Sequence, residues 1–149
     1  MTMVALLDVN VLVALISSGH IHHDVAHDWF ADNTPDGWAS CPMTEAGLLR
    51  ILGNPARMGQ HVMLPRLVDL LKTFCENSSH QFWPDALTLR DQRMFNVDAL
   101  RGHQQLTDVY LLGLAVKHGG RFVTLDQAVP LAAVKGATRA SLEVIAPPE

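Results

Sequence analysis

The fold is decided by the first sixteen residues of the chain, MTMVALLDVNVLVALI. Residues 4–7 form an apolar run that is too short for a helix and long enough for a buried strand, and residues 9–16 continue without a charge. Asp8 interrupts the run where the strand should give way to a helix. A lone carboxylate in apolar surroundings is costly unless something pairs with it. Asp8 is therefore either the N-cap of this helix or a metal ligand at the carboxyl end of a central strand, and the stretch alone leaves both open.

Length and composition predict one globular domain over residues 1–149. The chain has 149 residues, of which 48% are hydrophobic and 17% charged, which suits a packed core rather than disorder. No apolar run reaches the roughly 18 residues that span a bilayer. The N-terminus lacks the basic start and the cleavage site of a signal peptide, so residues 3–16 are predicted to be core and the protein to be cytoplasmic. Cys41 and Cys75 lack CxxC spacing and fit reduced thiols in that compartment.

Apolar periodicity and turn signals divide the chain into alternating strands and helices. Strands are predicted at residues 4–7, 38–41, 81–83, 121–124 and 142–145. Helices are predicted at residues 9–16, within 20–33, from 44 to the stop signal at 53–55, at 64–75, and at 107–118 with Thr107 as its cap. Residues 84–104 are predicted to be a loop with a helix inside it, and Pro147 and Pro148 to end the fold. This alternation predicts an α/β fold whose parallel sheet is covered on both faces.

Four acidic residues occupy positions where a carboxylate is not expected on packing grounds. Asp8 follows the first strand, and Asp126 comes two residues after the fourth. Glu45 and Asp108 lie in first helical turns, in register with apolar residues. Strands of a parallel sheet end, and crossover helices begin, at the same edge, so all four acids should gather there. A helix dipole explains an acid in a first turn taken singly, but four carboxylates leaning inward at one edge repel one another unless they are protonated or neutralised.

A hard divalent cation with oxygen ligands resolves that repulsion. Mg²⁺ and Mn²⁺ both prefer carboxylate ligands, so the pattern predicts a magnesium or manganese centre at this edge of the sheet. The predicted centre is formed by Asp8, Glu45, Asp108 and Asp126.

The motifs around these acids resemble those of PIN-domain ribonucleases. The matching pieces, in chain order, are Asp8-Val9-Asn10, Thr44-Glu45-Ala46, Leu106-Thr107-Asp108 and Thr124-Leu125-Asp126. A more specific similarity, to the VapC toxins of bacterial toxin–antitoxin pairs, lies in Gly102-His103-Gln104-Gln105-Leu106-Thr107-Asp108 and in the earlier pair Trp29-Phe30. The likeness runs from Met3 to about Val129, nearly the whole chain.

The resemblance implies a fold, an activity and a partner. The fold would be a three-layer α/β/α PIN-like domain with a central parallel sheet of four to five strands. The activity would be that of a Mg²⁺-dependent endoribonuclease, the toxin of a type II toxin–antitoxin system, usually a homodimer held by a VapB antitoxin. One departure is the net charge of −4, since an RNA-binding surface should be basic. A local patch would then have to come from arginines, of which the candidates are Arg50, Arg57, Arg90, Arg93 and Arg101.

Within this interpretation each acid has an expected role. Asp8 and Asp108 would be primary metal ligands, while Glu45 and Asp126 would complete the shell, hold a second ion or orient a water. A divalent cation lowers the pKa of water that it binds and offsets charge on phosphate oxygens, which suits in-line attack on phosphorus. Asn10 and Thr124, the short polar residues beside these acids, either support the ligands through hydrogen bonds or are an ordinary helix-start amide and strand threonine.

A histidine cluster offers a weaker metal-binding signal. Its members are His20, His22, His23 and His27. His23 and His27 are four residues apart, as in a shared metal site, but no glutamate follows His23 and the HExxH motif is absent. A solvated helix face is the preferred interpretation of this cluster.

Two other functions compete with a nuclease. A haloacid-dehalogenase-type phosphatase would use Asp8 as its nucleophile, but that chemistry wants a second acid two residues later, where this chain has Asn10. The other alternative is a non-catalytic PIN-like binding module, against which the presence of all four acids argues. An assay of metal-dependent RNA cleavage separates this binding module from the nuclease.

Overall fold

A five-stranded parallel sheet forms the centre of the protein. The computed structural model describes residues 3–58 and 62–145. The strands are β1 (Ala5–Leu7), β2 (Trp38–Ser40), β3 (His80–Phe82), β4 (Arg121–Thr124) and β5 (Leu142–Val144). They lie in the order β3-β2-β1-β4-β5, and every neighbouring pair is parallel. The predicted parallel sheet of four to five strands is thus confirmed, with β1 at its centre.

Helices cover the sheet on both faces. They are α1 (Val9–Ile16), α2 (His23–Asn33), α3 (Pro42–Leu52), α4 (Pro55–Met58), α5 (Leu64–Glu76) and α6 (Leu106–Lys117). Side chains of β1 alternate between the faces: Leu7 belongs to a core with α1, α2, α3 and α5, whereas Leu6 packs into a core with α6. The three-layer α/β/α arrangement follows from this alternation and confirms the predicted fold class.

The start of α3 differs from the prediction by two residues. The helix begins at Pro42 rather than Thr44, because a proline at the first helical position loses no intrahelical hydrogen bond. Thr44 instead closes the turn: its hydroxyl accepts a hydrogen bond from the backbone N–H of Cys41 at 3.0 Å. Glu45 remains in the first turn, as expected.

The start of α6 also differs. The sequence predicts Thr107 as the cap, but the helix begins at Leu106 and directly follows a 3₁₀ turn at His103–Gln105. Thr107 therefore lies inside the first turn and is exposed. At the other end the prediction holds: Gly119 has φ +67°, and a Cβ on Gly120 would lie 2.4 Å from the carbonyl oxygen of Val4, so the chain can pass into β4 only with a glycine there.

The loop predicted over residues 84–104 is present, and the helix predicted inside it is a 3₁₀ helix rather than an α-helix. This segment holds only short 3₁₀ turns, one of them at Val97–Ala99. It is fixed instead by tertiary contacts, since Phe95 is buried and forms a bridge with Val134, and Asn96 N–H donates to the carbonyl of Ala133 at 2.9 Å. Tertiary packing thus replaces regular structure here. The predicted end of the fold at Pro147 and Pro148 lies outside the described residues.

Smaller differences concern β3 and α5. β3 begins one residue before its predicted start. The apolar stripe predicted for α5 is only partly buried: Leu67 and Leu71 face the core, whereas Leu70 is 48% exposed. Both cysteine thiols are free, as expected. Among the described residues no helix is long and apolar enough to cross a bilayer.

Candidate metal centre

The sheet topology brings three of the four predicted acids to one place. β1 and β4 are adjacent and parallel, so Asp8 and Asp126, which follow them, lie at the same edge. The backbone N–H of Asp8 donates to the carbonyl of Val123 at 2.9 Å, which extends the pairing to the carboxylate-bearing residue itself. Asp108, in the first turn of α6, lies close enough to both acids for their charges to raise its pKa.

Asp8 is the buried member of the group. Its side chain is only 6% exposed. Oδ1 accepts a hydrogen bond from the backbone N–H of Val9 at 2.7 Å, and Oδ2 accepts one from the hydroxyl of Thr124, also at 2.7 Å. The N-cap interpretation is therefore confirmed, but a cap alone does not explain the burial. Desolvation raises the pKa of Asp8 despite these two donors.

Asp108 carries the strongest electrostatic signal at this edge. Burial first, and then the neighbouring charges of Asp8 and Asp126, raise the pKa of its half-buried carboxyl to about 7. A carboxyl that stays partly protonated near neutral pH reports acids that crowd one another. The three side chains of Asp8, Asp108 and Asp126 are hereafter called the acidic triad.

Asp126 is the exposed member of the triad. Its carboxylate lies close enough to Asp108 to contribute to the raised pKa of that group, but it is exposed rather than buried. Its backbone N–H donates to the hydroxyl of Thr124 at 3.0 Å, and its Oδ1 accepts from the N–H of Ala128 at 2.9 Å. This local turn holds Asp126 at the solvent-facing rim of the triad.

Thr124 is the hydrogen-bonding hub beneath the triad. Its buried hydroxyl donates to Asp8 and accepts from the N–H of Asp126. Asn10 lies beside it, with Nδ2 at 3.4 Å from that hydroxyl and Oδ1 at 3.3 Å from the N–H of Leu125. The two polar residues predicted as supports therefore connect β1, α1 and β4 around Asp8.

Glu45 occupies a neighbouring position rather than the triad itself. It is half-buried, and its Oε2 accepts a hydrogen bond from the hydroxyl of Ser40 at 2.6 Å. The charge of Glu45 affects Cys75 instead: burial, with a contribution from Glu45, raises the pKa of the Cys75 thiol to about 11. Because β2 lies beside β1, Glu45 shares the edge with the triad, but the charges that shift the pKa values of Asp8 and Asp108 do not include it.

Sequence reasoning missed Ser40 and His80. The hydroxyl of Ser40, which binds Glu45, lies 2.7 Å from Nε2 of His80. Neither residue belongs to a recognisable motif. The signal that joins them is the pairing of β2 with β3, which a single sequence does not reveal.

The donor set fits a hard divalent cation. Every side chain of the triad offers carboxylate oxygen, and the two ion pairs found among residues 3–58 and 62–145 involve other acids, so no cationic side chain neutralises the triad there. In the same described part of the chain, no three His, Cys, Asp or Glu side chains are close enough together to hold an ion without adjustment.

The raised pKa of Asp108 predicts how stability depends on pH when no metal is bound. In the folded protein the pKa of Asp108 is about 7, whereas in the unfolded chain the pKa returns to its ordinary value of 3.8. The native state binds more protons in that window, so the free energy of unfolding should fall as pH rises through it. We expect the free energy of unfolding, measured by urea denaturation in EDTA at intervals of roughly half a pH unit, to fall between about pH 5 and pH 7.5. The fall should be shallower in Asp108→Asn. Equal slopes for both proteins would contradict the crowded triad.

The histidine cluster lies away from the triad. His23 is half-buried, and its Nδ1 lies 2.7 Å from the carbonyl oxygen of Ala14, so it attaches α2 to α1. The rings of His23 and His27 are 5.8 Å apart, and His27 is exposed. The predicted solvated helix face therefore holds for His27, whereas His23 is partly withdrawn from solvent.

The arginines proposed for a basic patch are all exposed: Arg50, Arg57, Arg90, Arg93 and Arg101.

Comparisons with known proteins agree with one another. The family model described as "PIN domain" matches residues 5–135. The chain is 40% identical over 141 residues to ribonuclease VapC44 of Mycobacterium tuberculosis, covering 95% of this chain and 99% of that protein. It is 43% identical over 128 residues to ribonuclease VapC29 of the same organism, covering 85% and 89%. The crystal structure of PAE2754 from Pyrobaculum aerophilum shares the fold, with a TM-score of 0.56 at 24% identity over 91% of this chain and 82% of that one.

Proposed function

This chain belongs to the PIN domain family, and from that premise we propose that it is a metal-dependent endoribonuclease of the VapC type, the toxin of a type II toxin–antitoxin pair acting in the cytoplasm. The observation that carries the proposal is the convergence of Asp8, Asp108 and Asp126 at one edge of the sheet, where Asp108 has a pKa of about 7. Relatives that carry the name ribonuclease, 40% or more identical over most of the chain, support the same activity.

The proposed centre assigns a task to each acid. Asp8 and Asp108 would hold Mg²⁺ or Mn²⁺, because they are the two withdrawn from solvent. Asp126, at the exposed rim, and Glu45, at the neighbouring strand end, would complete the shell, hold a second ion or orient the attacking water. A bound divalent cation supplies Lewis-acid chemistry, since it lowers the pKa of water and offsets charge on phosphate oxygens.

The remaining residues of the site hold these acids in place. Thr124 donates to one oxygen of Asp8 and thereby gives that carboxylate a fixed orientation. Asn10 keeps the segment after β4 against the start of α1 through its contact with Leu125. The other oxygen of Asp8 accepts a hydrogen bond from the backbone N–H of Val9, so both carboxylate oxygens are held and the side chain has one orientation.

RNA would approach from the solvent side of the triad, where Asp126 is exposed. The acids themselves repel a phosphate backbone when no cation is bound, so substrate binding and cation binding should depend on each other. The exposed arginines would bind the backbone on either side of the cleaved bond, and hydrolysis of an internal phosphodiester gives two shorter RNA products.

The proposed partner is a VapB-type antitoxin, and the proposed assembly is a homodimer. The triad is the densest group of acids described at this edge, and arginine suits it because its planar guanidinium pairs with carboxylates and stays charged. An antitoxin that places an arginine there from a flexible tail would compete with the cation and with RNA. Its apolar contacts would lie elsewhere on the toxin, so inhibition and binding are separable.

The experiment that tests the function is sequencing of RNA ends after brief induction of the protein in cells. We expect new internal 5′ ends at a small set of RNA positions, because an endonuclease cuts within its substrate. Asp108→Asn, expressed to the same level, is the matched control and should yield none above background. The same new ends in both cultures, or none in either, would overturn the proposal and leave a non-catalytic binding module as the better description.

A further inference from the structure

We propose that Ser40 and His80 are positioning residues that fix the carboxylate of Glu45 at the edge of the metal centre through a chain of two hydrogen bonds. The chain runs from His80 Nε2 to Ser40 Oγ at 2.7 Å, and from Ser40 Oγ to Glu45 Oε2 at 2.6 Å. The inference rests on the proposed function, since it assigns Glu45 a place in a cation site. It adds two residues that none of the motifs around the acids contains.

Strand pairing explains why these side chains meet. In the register of β2 and β3, Trp38 lies opposite His80 and Ser40 lies opposite Phe82. Trp38 and Ser40 are two residues apart and point to the same face of the sheet, which makes Ser40 the diagonal neighbour of His80. Glu45 reaches the same hydroxyl because α3 begins two residues after β2 ends. Residues from β2, α3 and β3 therefore meet at one oxygen atom, the hydroxyl of Ser40.

Hydrogen counting sets the direction of the chain. Ser40 has a single hydroxyl hydrogen, and an ionised Glu45 can only accept. If Ser40 gave its hydrogen to His80, two acceptor oxygens would face each other at 2.6 Å, which is unfavourable in a buried place. Ser40 must then donate to Glu45 and accept from an Nε2–H of His80. The ring of His80 thus supplies the hydrogen on which the arrangement depends.

The two supporting residues are themselves held firmly. Ser40 is fully buried, so its hydroxyl has no water to compete for the bond. The ring of His80 packs on the buried ring of Trp38, with centroids 4.6 Å apart, and Trp38 Nε1 donates to the hydroxyl of Ser78 at 2.9 Å. A glutamate in a helix turn otherwise samples several rotamers, and selecting one costs conformational entropy. Here the selection is made before any cation binds, which is what a precise site requires.

The test compares two replacements of His80, one that keeps its aromatic ring and one that keeps a hydrogen-bond donor. His80→Phe keeps a ring against Trp38 and removes the donor. His80→Gln removes the ring and keeps an amide N–H at about the reach of Nε2. We expect His80→Phe and Ser40→Ala each to weaken Mn²⁺ binding, followed by calorimetry, about 10- to 100-fold, as loss of a group that orients a ligand usually does. His80→Gln should recover most of that affinity, and Mg²⁺-dependent RNA cleavage should follow the same order.

A purely structural role of His80 predicts the opposite order. The ring-preserving His80→Phe would then bind Mn²⁺ as the wild type does, and His80→Gln would be the damaged variant; that result would overturn the inference. Failure of the proposed function is distinct, since the wild type would then cleave no RNA with either ion; Glu45→Gln tests whether Glu45 belongs to the centre. If Glu45→Gln loses Mn²⁺ affinity while His80→Phe does not, only the positioning role falls. If Glu45→Gln binds Mn²⁺ and cleaves RNA like the wild type, Glu45 has no place in the centre and the positioning role falls with it, while the nuclease function stands.

A measurement on the wild type keeps the inference testable if a variant fails to fold. Nitrogen-15 NMR of the histidine rings reports which nitrogen carries the proton. We expect His80 of the metal-free protein to show a protonated Nε2 with a slowly exchanging hydrogen. An unprotonated Nε2 would mean that Ser40 donates to the ring instead, which contradicts the chain of donors.

Discussion

Asp8→Asn and Asp108→Asn should each slow RNA cleavage by more than about 100-fold, because loss of a direct ligand should exceed the roughly 10- to 100-fold typical for groups that only orient one. An amide is a poorer ligand than a carboxylate for a hard cation. The fold should survive both changes. Asparagine caps a helix about as well as aspartate, so the amide oxygen introduced by Asp8→Asn can keep the bond to the N–H of Val9 at the start of α1. At position 108 the substitution removes a charge that burial already disfavours.

The measurement is the single-turnover cleavage rate at saturating Mg²⁺, with far-UV circular dichroism as the check on folding. Asp32→Asn is a suitable control, since it removes the same charge from an exposed position on α2. This variant should cleave at the wild-type rate. If Asp8→Asn or Asp108→Asn retained wild-type cleavage while folded, the triad would not be the catalytic centre.

Binding of Mg²⁺ or Mn²⁺ should stabilise the folded protein. An ion that binds only the native state adds RT ln(1 + [L]/Kd) to the free energy of unfolding, about 2.7 kcal/mol at a hundredfold excess over Kd. The ion also relieves the repulsion among Asp8, Asp108 and Asp126 that burial aggravates. We expect the melting temperature to rise with ion concentration in the wild type and much less in Asp8→Asn.

The wild type and Asp8→Asn must be compared at equal ionic strength, because salt screens the repulsion among the acids without binding them. A magnesium salt and a monovalent salt at matched ionic strength therefore form the two arms of the titration. An equal rise of the melting temperature in both proteins would place the ion somewhere other than the triad.

The sequence was sufficient for the layout of the site because that layout depends on local signals. The apolar run before Asp8 predicts β1, and the uncharged run after it predicts α1, which spans Val9–Ile16 as expected. Once the strands are known to be parallel, strand ends and helix starts must share an edge. That rule alone predicts that Asp8, Asp108 and Asp126 approach one another, and the raised pKa of Asp108, to which the charges of the other two contribute, agrees.

What the sequence did not predict depends on contacts between distant segments. The contact of Ser40 with His80 requires the register of β2 against β3, which brings the two residues together from forty positions apart. The helix predicted within residues 84–104 is only a short 3₁₀ helix for the same reason. Phe95 packs under α6, where a Cβ on Gly113 would lie 2.5 Å from its ring, so tertiary contact rather than local propensity sets this segment.

The position of Asp126 shows a third kind of limit. Its place two residues after β4 indicates the correct edge, but exposure is decided by the turn that follows. The bond from the N–H of Ala128 to Oδ1 closes that turn, and Asp126 is exposed there. Aspartate is common both in such turns and in metal sites, so residue type and spacing do not separate the two roles at this position.

The most direct test of the proposed centre is cleavage of a defined RNA by the purified protein with its metal removed and then restored. Wild-type protein and Asp108→Asn are purified side by side, so that a contaminating nuclease would appear in both. We predict no cleavage by the wild type in excess EDTA, full cleavage after Mg²⁺ or Mn²⁺ is added beyond the chelator, and none by Asp108→Asn under either condition. Undiminished wild-type cleavage in excess EDTA would contradict the metal-dependent mechanism.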